Sequence, residues 1–281
     1  MNNSEVQTES ASPGKPGTAD ESRWRTVFVS IGLGAVGILF PLLVVFIAAG
    51  ILILARAPFT ATVIGGLVLL QFLLFVVVGV GYLASRGFDG DDIVRYLGVD
   101  LPSVRDIGLI LLTWIVMFIA MIVVAILITM IVPELVGVEE TEPAENPATG
   151  AIEEHPEFIL IAIVGMFLVV GPAEEILFRG VIQNRLRERL SAIPAIILAS
   201  AIFAVAHTVA LVGQDPVAIA MTIGILFVPS IGFGAIYEYT GNIVVPSLLH
   251  GFHNSVVLLA VYAAATADPA SVVVPLMGII G

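Results

Sequence analysis

Residues 171–190 read GPAEEILFRGVIQNRLRERL and continue an apolar run that starts at Phe158. Two adjacent carboxylates, Glu174 and Glu175, interrupt the run. Arg179 follows one helical turn later, and Arg185, Arg187 and Arg189 close the stretch. The 14 residues from Phe158 to Gly171 make about 21 Å of helix, too little to cross a hydrocarbon core of about 30 Å. Carrying the helix on through Ile176, Leu177 and Phe178 closes the gap. Both glutamates then lie inside the membrane, in the half nearer the arginines. A charge at that depth costs at least ~2.5–3.5 kcal/mol on insertion scales, so its default reading is functional.

The rest of the chain supplies the membrane context. Its 281 residues are 58% hydrophobic and 12% charged, with a mean hydropathy of +1.07, and the apolar residues come in long blocks. The reading is an all-α polytopic transmembrane helical bundle of about 7–8 spans. Residues 1–25 read as a flexible polar tail, because such a composition cannot bury enough surface to offset its ordering entropy. Residues 26–132 hold three N-terminal transmembrane helices, at about 27–54, 61–84 and 107–132, with a polar connection over 85–106. Residues 133–157 form an acidic loop without lysine or arginine, in which His155 reads as solvated. Residues 158–265 hold four further spans, at 158–178, 192–212, 216–237 and 242–265. A short apolar segment, 266–281, follows. The positive-inside rule puts the N-terminus and the 179–189 stretch in the cytoplasm and the acidic loop outside a cell membrane. The absence of cysteine excludes disulfides and thiolate chemistry. A net charge of −12 argues against nucleic acid as a partner.

Inside the spans, the ionisable groups beyond the glutamates are His207, His250 and His253, with Asn254 beside the last two. Glu175 and Arg179 are spaced four apart, acid first, the favourable orientation for a pair on one helix face. Glu174 is rotated ~100° from Glu175, so Glu175 is assigned to orient the helix and Glu174 to face a cavity. His207 stands one turn after Phe203, and His250 and Asn254 are four apart. Pro246 and Gly171-Pro172 are expected to loosen their helices next to these groups. Counted from the arginine-rich side, Glu174 and His250 come out at ~12 Å depth and His207 at ~21 Å, a mismatch in level. Two chemistries are open to this set. Glu174 can act as general base on a water positioned by one histidine, while a second histidine and the asparagine amide donate to an oxyanion. Alternatively Glu174, His207 and His250 make a His₂Glu set of the kind that holds a catalytic zinc.

These residues resemble the CAAX prenyl endopeptidase type II and bacteriocin-processing (Abi-like, CPBP) intramembrane protease family. The family's motifs are E-E-x-x-x-R, F-x-x-x-H, and H-x-x-x-N or -D. They are matched in order by Glu174-Glu175…Arg179, Phe203…His207 and His250…Asn254, over about residues 158–262. The resemblance implies an endopeptidase with Glu174 as base, His207 activating the water, His250 and Asn254 stabilising the oxyanion, and Arg179 as support. It implies a protein or peptide substrate in or at the lipid bilayer, and allows both a divalent metal and a metal-free glutamate mechanism. His253 is not a motif position. The competing functions are a transporter or proton-coupled carrier, and a non-catalytic immunity or scaffold protein on the same fold.

Overall fold

Ser22 turns the polar N-terminal sequence into a helix: its hydroxyl accepts from the Arg25 N–H at 3.2 Å and caps α1 (Arg23–Leu54). The structure, a computed structural model, describes residues 21–57, 61–138, 141–145 and 147–267. After α1 come α2 (Ala61–Ser85), the short α3 (Gly90–Leu97) and α4 (Val104–Val136). A second short helix, α5 (Pro147–Glu154), precedes α6 (Pro156–Arg187). The chain then runs through α7 (Ala192–Ala206), a 3₁₀ turn (His207–Leu211), α8 (Pro216–Thr240) and α9 (Val244–Thr266). There is no strand among the described residues.

Seven of these helices are long and apolar enough to cross a membrane. The side chains they turn outward are large and apolar: Leu39, Phe46, Leu73, Ile115, Ile119 and Leu160 are all exposed, while Glu174, Glu175, Arg179 and Gln183 are buried. A soluble domain would not leave so much apolar surface uncovered, but in a bilayer the lipid covers it. The chain is a multi-pass membrane protein.

The boundaries differ from the sequence reading in several places. Residues 23–25, placed in the tail, belong to α1 because Ser22 caps it. The polar connection over 85–106 contains α3, whose Asp89 and Asp92 form a reciprocal capping box. The acidic loop contains the end of α4 and all of α5, which packs Ile152 against Ile159 and Leu258. Pro246 does not loosen α9: it sits in the first turn, where a missing N–H costs nothing. Residues 1–20 of the tail and 268–281 of the C-terminal segment lie outside the described residues.

α6 is the central helix. Its Leu177, Phe178, Ile182 and Leu186 pack against Phe75 of α2 and Ala195, Ala199 and Phe203 of α7. It is not a regular α-helix. Residues 166–170 and 176–183 are π-helical, bonded five residues back, with α-helical Gly171–Glu175 between them. Gly171 N–H thus reaches Met166 O, and the following Pro172 has no N–H to donate. Such π segments are frequent at functional sites.

Where α6 meets α9, two glycines set the separation. A Cβ on Gly171 would lie 2.7 Å from Ser247 O and 3.2 Å from Gly251 N, and one on Gly251 would lie 2.9 Å from the Phe167 ring. Only the absence of both side chains lets the backbones approach this closely. The glutamates lie within a turn of Gly171, and His250 directly precedes Gly251.

Candidate active site

The close approach of α6 and α9 puts His250 between the two carboxylates. His250 Nδ1–H donates to Glu175 Oε1 at 2.9 Å, and His250 Nε2 stands 3.7 Å from Glu174 Oε2. All three residues are buried. The 2.9 Å contact is a charge-assisted hydrogen bond; the 3.7 Å contact is too long for one and leaves Glu174 free to act on a third group. With Nδ1–H committed to Glu175, Nε2 is the ring nitrogen turned toward Glu174.

Glu175 does more than the sequence assigned to it. Its Oε2 lies 3.3 Å from Arg179 Nε, the expected pair, while its Oε1 fixes the tautomer and orientation of His250. Arg179, fully buried, is held from above and behind. Its Nη2 donates to Ser230 Oγ at 3.1 Å and Ser230 O at 3.3 Å. Its guanidinium carbon lies 4.7 Å from the Phe203 ring centre and 5.8 Å from that of Phe233. Phe233 in turn stacks on His250, with ring centres 4.6 Å apart and 16° between planes. Ser230 and Phe233 of α8 were missed in the sequence. Ser230 is legible as a hydroxyl inside an apolar span; Phe233 carries no signal that separates it from core filling.

The remaining motif residues approach the site less closely. His207 closes α7, with Nδ1 hydrogen-bonded to Phe203 O at 2.9 Å and its ring 4.6 Å from the Phe203 ring. Phe203 also meets His250 edge-on at 5.9 Å. His207 therefore reaches the cluster through Phe203 and forms no ion pair with either glutamate, in line with the difference in depth counted along the sequence. The Asn254 amide faces Met166 Sδ at 3.7 Å. His253 is buried, with no hydrogen-bond partner for Nδ1, and lies edge-on to Phe233 at 6.2 Å. The imidazole at the glutamates is His250. Among the described residues, no three His, Asp and Glu side chains are gathered closely enough to hold a metal ion.

Residues 156–256 match the family model for type II CAAX prenyl endopeptidases, Rce1-like. This part of the chain, about a third of its length, is similar to that family. No curated protein and no solved structure matches the chain. The match covers α6, α7 and α8 and the part of α9 that holds His250 and Asn254; the three N-terminal spans lie outside it. The Rce1-like family is one of CAAX-type endopeptidases, and the matched segment is the part of this chain that resembles it.

At the arginine-rich end of α6, Arg185 and Arg187 are paired with acids, two of them from distant segments. Glu188 accepts from Arg86 at 2.6 and 3.2 Å, from the Tyr96 hydroxyl at 3.3 Å, and from Arg185. Arg185 also binds Glu21, and Arg187 Nε donates to Glu238 at 2.8 and 3.1 Å. The hydrogen bond from Arg185 holds the Glu21 carboxyl below its ordinary range, and the charge of Arg25 adds to this. Burial pushes the Tyr96 phenol well up. These contacts tie the end of α6 to Glu21 ahead of α1, to the loop after α2, to α3 and to α8.

Proposed function

We propose that the chain is an intramembrane endopeptidase that hydrolyses a peptide bond with a water activated by Glu174. The observation that carries this is the seating of His250 between two buried carboxylates, one in hydrogen-bond contact and one held back. Glu174, without a short protein hydrogen bond, is the group placed to take a proton from water as it attacks the scissile carbonyl. The proton then passes to the leaving amine, and the carbonyl oxygen carries the developing charge.

His250 and Asn254 serve that oxyanion. Among the described residues the Asn254 amide is held only by a thioether, a weak acceptor, so a carbonyl oxygen displaces it readily. His250 donates from Nε2 only when both ring nitrogens carry protons, and the neighbouring Glu174 and Glu175 offset that charge. His207, with Nδ1 engaged by Phe203 O, offers Nε2 to position the attacking water. Arg179 and Glu175 orient the assembly.

The donor set does not fit a three-ligand zinc site, because His207 meets the Phe203 ring and not the carboxylates. The reading is therefore of a glutamate mechanism. The substrate class is a protein or peptide presented at the membrane, the arginine-rich end facing the cytoplasm by the positive-inside rule. Purified, reconstituted protein should cleave such a peptide, lose the activity on Glu174→Ala, and retain it after exhaustive chelation. Cleavage that survives Glu174→Ala, or flux of a solute through proteoliposomes without cleavage, overturns the reading.

A further inference from the structure

Behind the glutamates, α6 and α8 run side by side in the same direction and in constant register. Arg179 bonds Ser230, Gln183 Nε2 donates to Gly234 O at 3.0 Å, and Arg187 bonds Glu238 at 2.8 Å, each pair 51 residues apart. These polar rungs recur every four residues, from the buried pair to the exposed ion pair at the arginine-rich end. Gly234 makes room for the middle rung: a Cβ there would lie 2.8 Å from Gln183 Oε1.

The rungs leave polar atoms over. Arg179 Nη1, Gln183 Oε1 and Ser200 Oγ are buried without a hydrogen-bond partner, and Glu175 Oε2 and Arg179 Nε, though ion-paired at 3.3 Å, make no hydrogen bond either. Ser200 belongs to the same place, since its carbonyl accepts from Ser230 Oγ at 3.4 Å. Buried polar groups in native proteins are satisfied by protein or by ordered water, and a buried water makes about three hydrogen bonds to such groups. The orphans are mixed in kind. Arg179 offers donors, Glu175 and Gln183 offer acceptors, and Ser200 offers both. A cation would face the guanidinium and an anion would face the carboxylate. Water both donates and accepts, and so serves all of them.

We propose that a file of buried waters occupies the seam between α6, α7 and α8, bonded to Arg179, Glu175, Ser200 and Gln183, and supplies the hydrolytic site from the arginine-rich end. The supply role rests on the endopeptidase reading; the water site does not. A hydrolase enclosed by lipid needs such a route, because the hydrocarbon core around it carries almost no water.

Ser200→Ala is the clean perturbation, because the hydroxyl it removes makes no protein hydrogen bond. An experimental structure of the full chain in nanodiscs, at a resolution that shows ordered solvent, should place waters on Arg179 Nη1, Ser200 Oγ and Gln183 Oε1. Side chains closed over these atoms, with no solvent peak, overturn the site. In steady-state cleavage, Ser200→Ala should lower kcat by about tenfold, the scale of one lost hydrogen bond. KM and the thermal midpoint should not move. Unchanged kcat despite visible waters overturns the supply role. A Glu174→Gln control run in parallel tests the endopeptidase reading separately: its loss of cleavage stands whatever the solvent map shows.

Discussion

Replacing the two adjacent glutamates by glutamine, one at a time, should give opposite signatures. Glu175 is fully buried, 2.9 Å from His250 Nδ1 and 3.3 Å from Arg179 Nε. Glutamine keeps an oxygen for the histidine but leaves the Arg179 charge buried without its counter-ion. Removing one partner of a buried pair costs about 3 kcal/mol or more, and for a chain of this size that lowers the thermal midpoint by about 10 °C. The His250 hydrogen bond weakens from charge-assisted to neutral, a loss of roughly 1 kcal/mol and hence about tenfold in kcat. Glu174 has no short protein hydrogen bond, its nearest partner being His250 Nε2 at 3.7 Å. Glu174→Gln removes no short hydrogen bond and should therefore lower the midpoint by no more than about 3 °C, the scale of about 1 kcal/mol. It should remove the base, worth about 10²–10⁴-fold in kcat. The assay is thermal unfolding in detergent followed on the same samples by cleavage of a reconstituted peptide substrate. A thermally silent Glu175→Gln, or a Glu174→Gln that unfolds early while retaining turnover, refutes the division of labour.

Two further outcomes follow from other parts of the structure. Gly171→Ala drives a methyl to 2.7 Å from Ser247 O and should cost about 1–3 kcal/mol and push α6 off His250, whereas Gly165→Ala, with nothing within 4 Å, should be tolerated; equal behaviour of the two in thermal and cleavage assays contradicts the close-approach argument. Glu21, whose carboxyl is held low by Arg185, contributes stability that is present above its ordinary value near 4.5 and is lost as pH falls through the lower folded value. Acidification through that window should make the chain near Glu21 more susceptible to proteolysis, and Glu21→Gln should remove the pH dependence.

The resemblance and most of the groups that meet at the candidate site were legible from single residues because lipid makes charge conspicuous. In an apolar run, Glu174, Glu175 and Arg179 stand out, and fourfold spacing joins Glu175 to Arg179 without any knowledge of the other helices. The same logic put His207 and His250 on separate spans and registered their difference in depth. What spacing within one helix cannot show is what another helix brings to it. The contact of Glu175 with His250 crosses from α6 to α9 and depends on two glycines that look like ordinary span residues in the sequence. The stacking of Phe233 on His250 and the seating of Arg179 on Ser230 come from α8, which carries no motif.

The sequence alone therefore determined the all-α membrane class, the spans and the set of chemical groups, because hydrophobic length and the cost of buried charge are local properties of the chain. Only the tertiary structure decided the contacts within that set. It gave His250 to Glu175, held Glu174 back from it, set His207 behind Phe203 and left a seam of unpartnered polar atoms beside Arg179. Those outcomes depend on how closely helix backbones approach and in which register they lie, and that is fixed by packing between segments far apart in the chain.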